Sequence, residues 1–372
     1  MIPEDLQYMQ RALQLARKGL YTTHPNPRVG CVLVRGGEVV SEGWHERAGE
    51  SHAEVMAVDR AGSGARGATA YVTLEPCAHH GRTPPCADAL IGAGVSRVVA
   101  ATEDPYPSVA GQGLARLRQK GIEVACGLLE NQARVLNQGF FSRLQRGRPW
   151  LRVKLAASLD GATALESGDS KWITGEDARR DVQHWRGQAS AIMTGVGTVL
   201  ADDPRLSVRL PGVQRTNRCV VLDSRWRLPP RARLLSQVDE VFWVGMQSHP
   251  VPAWANDKAD RRAVITPLPA PAGAGGIDLH WLMAELARRE INEIQVEAGE
   301  TLAGHLLIQG LVDELLLYMA PLVLGASSRG LFGIPALESM DQRINLQWVE
   351  QRRVGSDLRL RLRPVADQTD SG

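Results

Sequence analysis

Residues 73–86 read Thr-Leu-Glu-Pro-Cys-Ala-His-His-Gly-Arg-Thr-Pro-Pro-Cys, and how they are read decides the fold. The run ATAYVTLE (68–75) reads as a strand that delivers Cys77 from its end, while a helix starts at Cys86. Upstream, His52-Ala53-Glu54 stands at the head of another helix. Zinc takes three or four nitrogen and sulfur donors around one point, and a catalytic zinc keeps one position open. His52, Cys77 and Cys86 supply an imidazole and two thiolates, and Glu54 faces the open position as a proton carrier rather than a ligand. Singly, each is an ordinary helix-end histidine or buried thiol; only their joint spacing points to a metal. A structural zinc, with His79 or His80 as fourth ligand, is the competing reading.

Outward from this motif, helix and strand alternate. Leu6, Met9, Leu13 and Ala16 recur at helical spacing within 4–18, and strands at 29–34 and 38–41 form a hairpin across Gly36-Gly37. Helices at 53–61, 86–91 and 113–120 then alternate with strands at 69–74, 97–101 and 122–125, which implies an α/β layer structure. The stretch RLQRGRP (143–149) marks a break, and tryptophan marks it too: Trp44 alone precedes residue 147 and eight follow. Domains of 1–147 and 148–372 are therefore expected. In the second, strands are expected at 151–156, 191–194, 219–223, 240–244, 293–296, 314–319, 346–349 and 358–362, and helices at 176–186, 279–288 and 302–309. Residues 248–276, rich in Pro, Ala and Gly, are expected to contain much irregular surface loop.

Of 372 residues, 43 are basic and 41 acidic; residues 1–147 hold 16 and 14, the remainder 27 of each. Neither half carries the basic excess of a nucleic-acid binder. No run of about 18 apolar residues suggests a membrane span. Five cysteines, an odd number, and an acidic start, MIPEDLQYMQ, argue against a secreted disulfide scaffold and for a reducing cytoplasm. Cys31, Cys126 and Cys219 read as buried thiols.

HPNPRVG (24–30), GWHERAGESHAEVMA (43–57) and TLEPCAHHGRTPPC (73–86) resemble the deaminase domain of the bifunctional deaminase/reductases of riboflavin biosynthesis. Cytidine- and tRNA-deaminase relatives usually part the two cysteines by two residues, whereas eight intervene here. The resemblance implies a cytidine-deaminase-like α/β/α domain binding one Zn2+ per chain through His52, Cys77 and Cys86, with Glu54 catalytic. His79 and Arg82 of the long loop, and Asn26 of the His-Pro-Asn-Pro turn, would meet the substrate, with His45 beside the same pocket.

In the second domain, KLAASLDG (154–161), SGDSKWIT (167–174), TGVGTVLADDPRLSVR (194–209), VVLDS (220–224), VEAGETLAG (296–304) and VDELLLYMAPLVLG (312–325) resemble the reductase half of the same family, a dihydrofolate-reductase-like α/β domain that uses NADPH. The resemblance implies cofactor contacts from Ala156, Trp172, Thr198, Asp202, Ser224 and the turn Gly299, Glu300, Thr301, Leu302, Ala303, Gly304 and His305. Substrate contacts would come from Lys154, Ser170, Arg186, Leu206, Arg209 and Glu297, with Arg186 and Arg209 as phosphate clamps. The glycine turn suits a phosphate. Gly195-Val196-Gly197 is no dinucleotide fingerprint, because Leu200 stands where a third Gly or Ala is required. Ala162 departs from the family's Arg or Lys after Asp-Gly.

The expected function is zinc-dependent hydrolytic deamination of 2,5-diamino-6-hydroxy-4-(5-phosphoribosylamino)pyrimidine. NADPH reduction of the ribosyl group of 5-amino-6-(5-phosphoribosylamino)uracil to ribityl then follows. A cytoplasmic homo-oligomer acting on small molecules is expected, without nucleic-acid or membrane partners. Two other readings compete: a nucleoside- or tRNA-type zinc deaminase fused to a nucleotide-binding domain, and a non-enzymatic structural-zinc nucleotide sensor.

Overall fold

The computed structural model describes residues 3–78, 85–106, 110–257 and 261–365. The chain separates into two compact units, Met1–Arg148 and Pro149–Gly372.

In the first unit, β1 (Gly30–Arg35), β2 (Glu38–Trp44), β3 (Thr69–Val72), β4 (Arg97–Ala100) and β5 (Glu123–Cys126) form one sheet in the order β2-β1-β3-β4-β5. The β2-β1-β3 part is antiparallel and β3-β4-β5 parallel. Strand residues alternate between faces. Cys31 and Leu33 pack with α2 (Ala53–Ala61), α3 (Cys86–Ala93) and α4 (Gln112–Gln119), whereas Val32 and Val34 pack with α1 (Pro3–Ala16) and α5 (Glu130–Leu136). The result is an α/β/α sandwich. Helices α5 and α6 (Gln138–Arg146) lie where the sequence signalled no element. They meet at buried Asn137, whose amide accepts from Arg28 N at 2.7 Å and donates to Arg28 O at 2.9 Å. A contact 109 residues away in sequence thus sets the break between them.

The second unit carries β6 (Trp150–Ala157), β7 (Ala191–Gly195), β8 (Arg218–Leu222), β9 (Glu240–Met246), β10 (Val264–Ala270), the two-residue β11 (Ala272–Gly273) and β12 (Gly276–Ile277), β13 (Glu293–Val296), β14 (Glu314–Met319), β15 (Leu346–Val354) and β16 (Asp357–Pro364). Nine of them form a sheet ordered β10-β9-β8-β7-β13-β6-β14-β16-β15, parallel except where β16 pairs with β14 and β15. On one face, Ala178, Val182 and Trp185 of α7 (Glu176–Gln188) cover Leu316 and Tyr318. On the other lie α9 (Leu279–Arg288) and α10 (Glu300–Ile308). A short α8 (Val196–Asp202) follows β7 directly.

Residues 248–276 do contain loop, as expected, but they also hold β10, a seven-residue edge strand parallel to β9. Pro267 and Pro269, two apart, turn their missing N–H groups to the same side of the strand, which an edge tolerates. At the opposite edge β15 runs five residues beyond its expected end and is exposed along most of its length, with Trp348 61% exposed. Cys31 and Cys219 are buried as expected, whereas Cys126 is half-buried.

Candidate active sites

His52 immediately precedes α2 in an extended conformation, so its ring leaves the helix start while Glu54, in the first turn, points inward and is 3% exposed. Gly43 of β2 permits this close seating, since a Cβ there would lie 2.2 Å from the Ala53 carbonyl oxygen. Cys77 follows the end of β3. Cys86 opens α3, and its backbone N–H donates to Cys77 Sγ at 3.3 Å, a helix-start contact that favours thiolate.

His52 Nδ1 lies 3.2 Å from Cys86 Sγ and 3.7 Å from Cys77 Sγ, and the three donor atoms fall within 4.8 Å of one another. A nitrogen and a sulfur bound to one tetrahedral zinc sit about 3.6 Å apart, so the set fits that ion with one position left open. A hydrogen bond from the Cys86 thiol draws Cys77 down to about 4, and the same bond pushes Cys86 up. Burial pushes Glu54 up to about 7, near the range in which a carboxyl both accepts and releases a proton at neutral pH.

Asn26 joins the same neighbourhood. His45 Nδ1 lies 3.1 Å from the Ser51 carbonyl, which can only accept, so Nδ1 carries the proton and Nε2 accepts from Asn26 Nδ2 at 3.1 Å. Burial lowers the His45 pKa, which favours the neutral ring. Its ring stands edge-on to His52 at 5.4 Å, leaving Asn26 one ring away from the metal donors. His79 and Arg82 lie outside the described residues.

The second unit holds a cavity of about 1250 Å³, lined by every reductase residue expected from the resemblance except Ala303 and Gly304. Those two expectations are corrected: Ala303 is fully buried, and a Cβ at Gly304 would lie 2.6 Å from the Gly333 carbonyl oxygen. They seat the helix rather than face the cavity. At its inner wall Arg186 donates to both oxygens of Glu297, at 2.6 and 2.7 Å, and to Ser207 O at 3.2 Å. Burial alone would raise Glu297, but the Arg186 charge and hydrogen bonds outweigh it and hold the carboxyl at about 2. Burial lowers the pKa of Lys154, which feels both charges.

With its fork committed to Glu297, Arg186 is not a free phosphate clamp. Arg209, exposed and flanked by Arg205 and Arg233, remains open to an anion. Gln183 and Arg179 carry no site role in the sequence analysis. Both line the cavity, and the Arg179 guanidinium lies over the Trp172 ring at 4.6 Å. Positions 179, 183 and 186 share one helix face, a signal already present in the sequence. Ala162 is buried and absent from the lining.

Residues 3–102 match the cytidine and deoxycytidylate deaminase zinc-binding region, and residues 149–360 match the RibD C-terminal domain. The chain is 49% identical to the riboflavin biosynthesis protein RibD of Escherichia coli K12, over 96% of this chain and 99% of that one. It is 40% identical to RibD of Bacillus amyloliquefaciens, over 95% and 94%. The structure of Acinetobacter baumannii RibD, form 1, matches with a TM-score of 0.89 at 44% identity, covering 98% of this chain and 99% of that one. A diaminohydroxyphosphoribosylaminopyrimidine deaminase/5-amino-6-(5-phosphoribosylamino)uracil reductase from Thermotoga maritima matches at 0.85 and 32%, covering 97% and 99%.

Fold and site together define a cytidine-deaminase-type zinc domain followed by an NADPH-dependent reductase domain. The chain belongs to the RibD family, the bifunctional deaminase/reductases of riboflavin biosynthesis.

Proposed function

We propose that the two domains, bounded near residue 148, act consecutively on phosphoribosylaminopyrimidines. The first removes the amine from 2,5-diamino-6-hydroxy-4-(5-phosphoribosylamino)pyrimidine, and the second reduces the resulting 5-amino-6-(5-phosphoribosylamino)uracil at its ribosyl group. The observation that carries this is the three-donor cluster of His52, Cys77 and Cys86 with the buried Glu54 carboxyl beside it.

His52, Cys77 and Cys86 would hold zinc, which when bound would supply the Lewis acidity that makes water nucleophilic near neutral pH. Glu54 would accept the proton of the attacking water at its buried carboxyl and return it to the departing amine, a task matched to its raised pKa. Asn26, fixed by His45, reads the edge of the ring.

In the reductase, NADPH supplies hydride. Glu297 and Arg186 hold each other and present a fixed dipole to the sugar, Lys154 lies close to both, and Arg209 meets the substrate phosphate. The exposed edge strand β15, with Trp348, Val349 and Leu346 outward, supports a homo-oligomer. Unpaired cysteines support a cytoplasmic setting. Among the described residues no helix is long and apolar enough to cross a membrane.

Glu54→Gln tests the assignment. Ammonia release should fall at least about a hundredfold, the contribution expected of a general acid–base, while zinc content and NADPH turnover on the deaminated substrate persist. Retained ammonia release would remove Glu54 from the mechanism.

A further inference from the structure

Thr163, Ala164 and Gly168 line the cavity of the second unit, and the cation beside them comes from far along the chain. Ala164 and Arg329 face each other in an isolated antiparallel bridge. Thr163 N donates to Arg329 O at 2.8 Å, and Arg329 N donates to Ala164 O at 2.9 Å. Just before this bridge, the Asp160 carboxylate accepts from Leu324 N and Gly325 N. The backbone of Arg329 is therefore pinned from two sides.

Its side chain is different. Arg329 lines the cavity, and its guanidinium makes no hydrogen bond or ion pair with any described residue. It lies against Gly168, where a Cβ would come within 3.2 Å of Nη2, and Gly168 has φ +91°. Space for the guanidinium thus depends on a left-handed glycine.

From Arg329 the chain runs four residues to Gly333, whose N–H donates to Glu300 O at 3.0 Å in the first turn of α10. No side chain caps α10, and Gly299 to Leu302 line the same cavity. Open backbone N–H groups and an open guanidinium are therefore presented by segments that touch, and a planar fork matches two phosphate oxygens. Arg209 feels the charges of Arg186, which pairs with Glu297, and of Arg205 and Arg233. Arg209 and Arg329 both line the cavity, so it offers cations to more than one phosphate.

We propose that Arg329 binds the pyrophosphate of the dinucleotide, together with the start of α10. The inference rests on the NADPH-reductase reading of this cavity. Binding to the full-length chain tests it by calorimetry, with NADPH and with 2′-AMP, which carries the 2′-phosphate but no pyrophosphate. Arg329→Gln should weaken NADPH roughly 10- to 100-fold, the size of a lost charge-assisted pair, and leave the 2′-AMP dissociation constant in place. Arg329→Lys, which keeps the charge without the fork, should fall between. Unchanged NADPH affinity, a loss shared by 2′-AMP, or an effect confined to the substrate KM would each overturn the assignment. Failure of the unsubstituted chain to bind NADPH would instead overturn the reductase reading beneath it.

Discussion

Glu297→Gln tests the electrostatic account of the reductase cavity. Glu297 and Arg186 are 13% and 12% exposed, so solvent screens their bidentate contact little. The carboxyl is held at about 2 against an ordinary value of 4.5, a difference worth about 3 kcal/mol of folding stability. Removing one partner of a buried pair costs a similar about 3–5 kcal/mol. A depressed carboxyl contributes above its unfolded pKa and loses that contribution as pH falls through its folded pKa. The gap between the original chain and Glu297→Gln should therefore stand near about 3 kcal/mol at pH 7 and fall below half by about pH 3. Urea unfolding followed by tryptophan fluorescence reads the right domain, because eight of nine tryptophans follow residue 147. Replacing both partners, as Arg186→Met with Glu297→Leu, should recover part of the loss. A gap under about 1 kcal/mol at pH 7, or one that does not shrink in acid, would refute the reasoning.

Gly43→Ala would place a Cβ 2.2 Å from Ala53 O and 2.7 Å from Ala57 N, so α2 must move. A cost of about 1–3 kcal/mol is expected, with ammonia release lost and NADPH binding kept, since α2 carries Glu54 and follows His52. Arg209→Ala should raise the substrate KM roughly 10-fold or more while shifting the NADPH KM far less; steady-state kinetics on the deaminated substrate decide, and the reverse pattern would move Arg209 to the cofactor.

The deaminase centre was legible because its parts are local. His52, Glu54, Cys77 and Cys86 sit at ends of elements that declare themselves by periodicity, so the chemistry could be placed once the strand before Cys77 and the helix after Cys86 were seen. What stayed hidden there is long-range, as with α5 and α6, whose boundary is written in the side chain of Asn137 pairing with Arg28. The same holds for β10, where prolines that speak against a strand are harmless because the sheet ends there.

The reductase cavity divides along the same line. Arg186 and Arg209 were found as cations, yet composition could not tell which was free. That follows from Glu297, 111 residues from Arg186 in sequence, being close enough to occupy the whole fork of one of them. Arg329 is the converse case. Nothing in its surrounding sequence distinguishes it from a surface arginine, and it acquires significance only because Ala164, Gly168 and the first turn of α10 meet it across the fold. An arginine's role here is set by whether a carboxylate reaches it first. Sequence names the candidates, and the tertiary pairing selects among them.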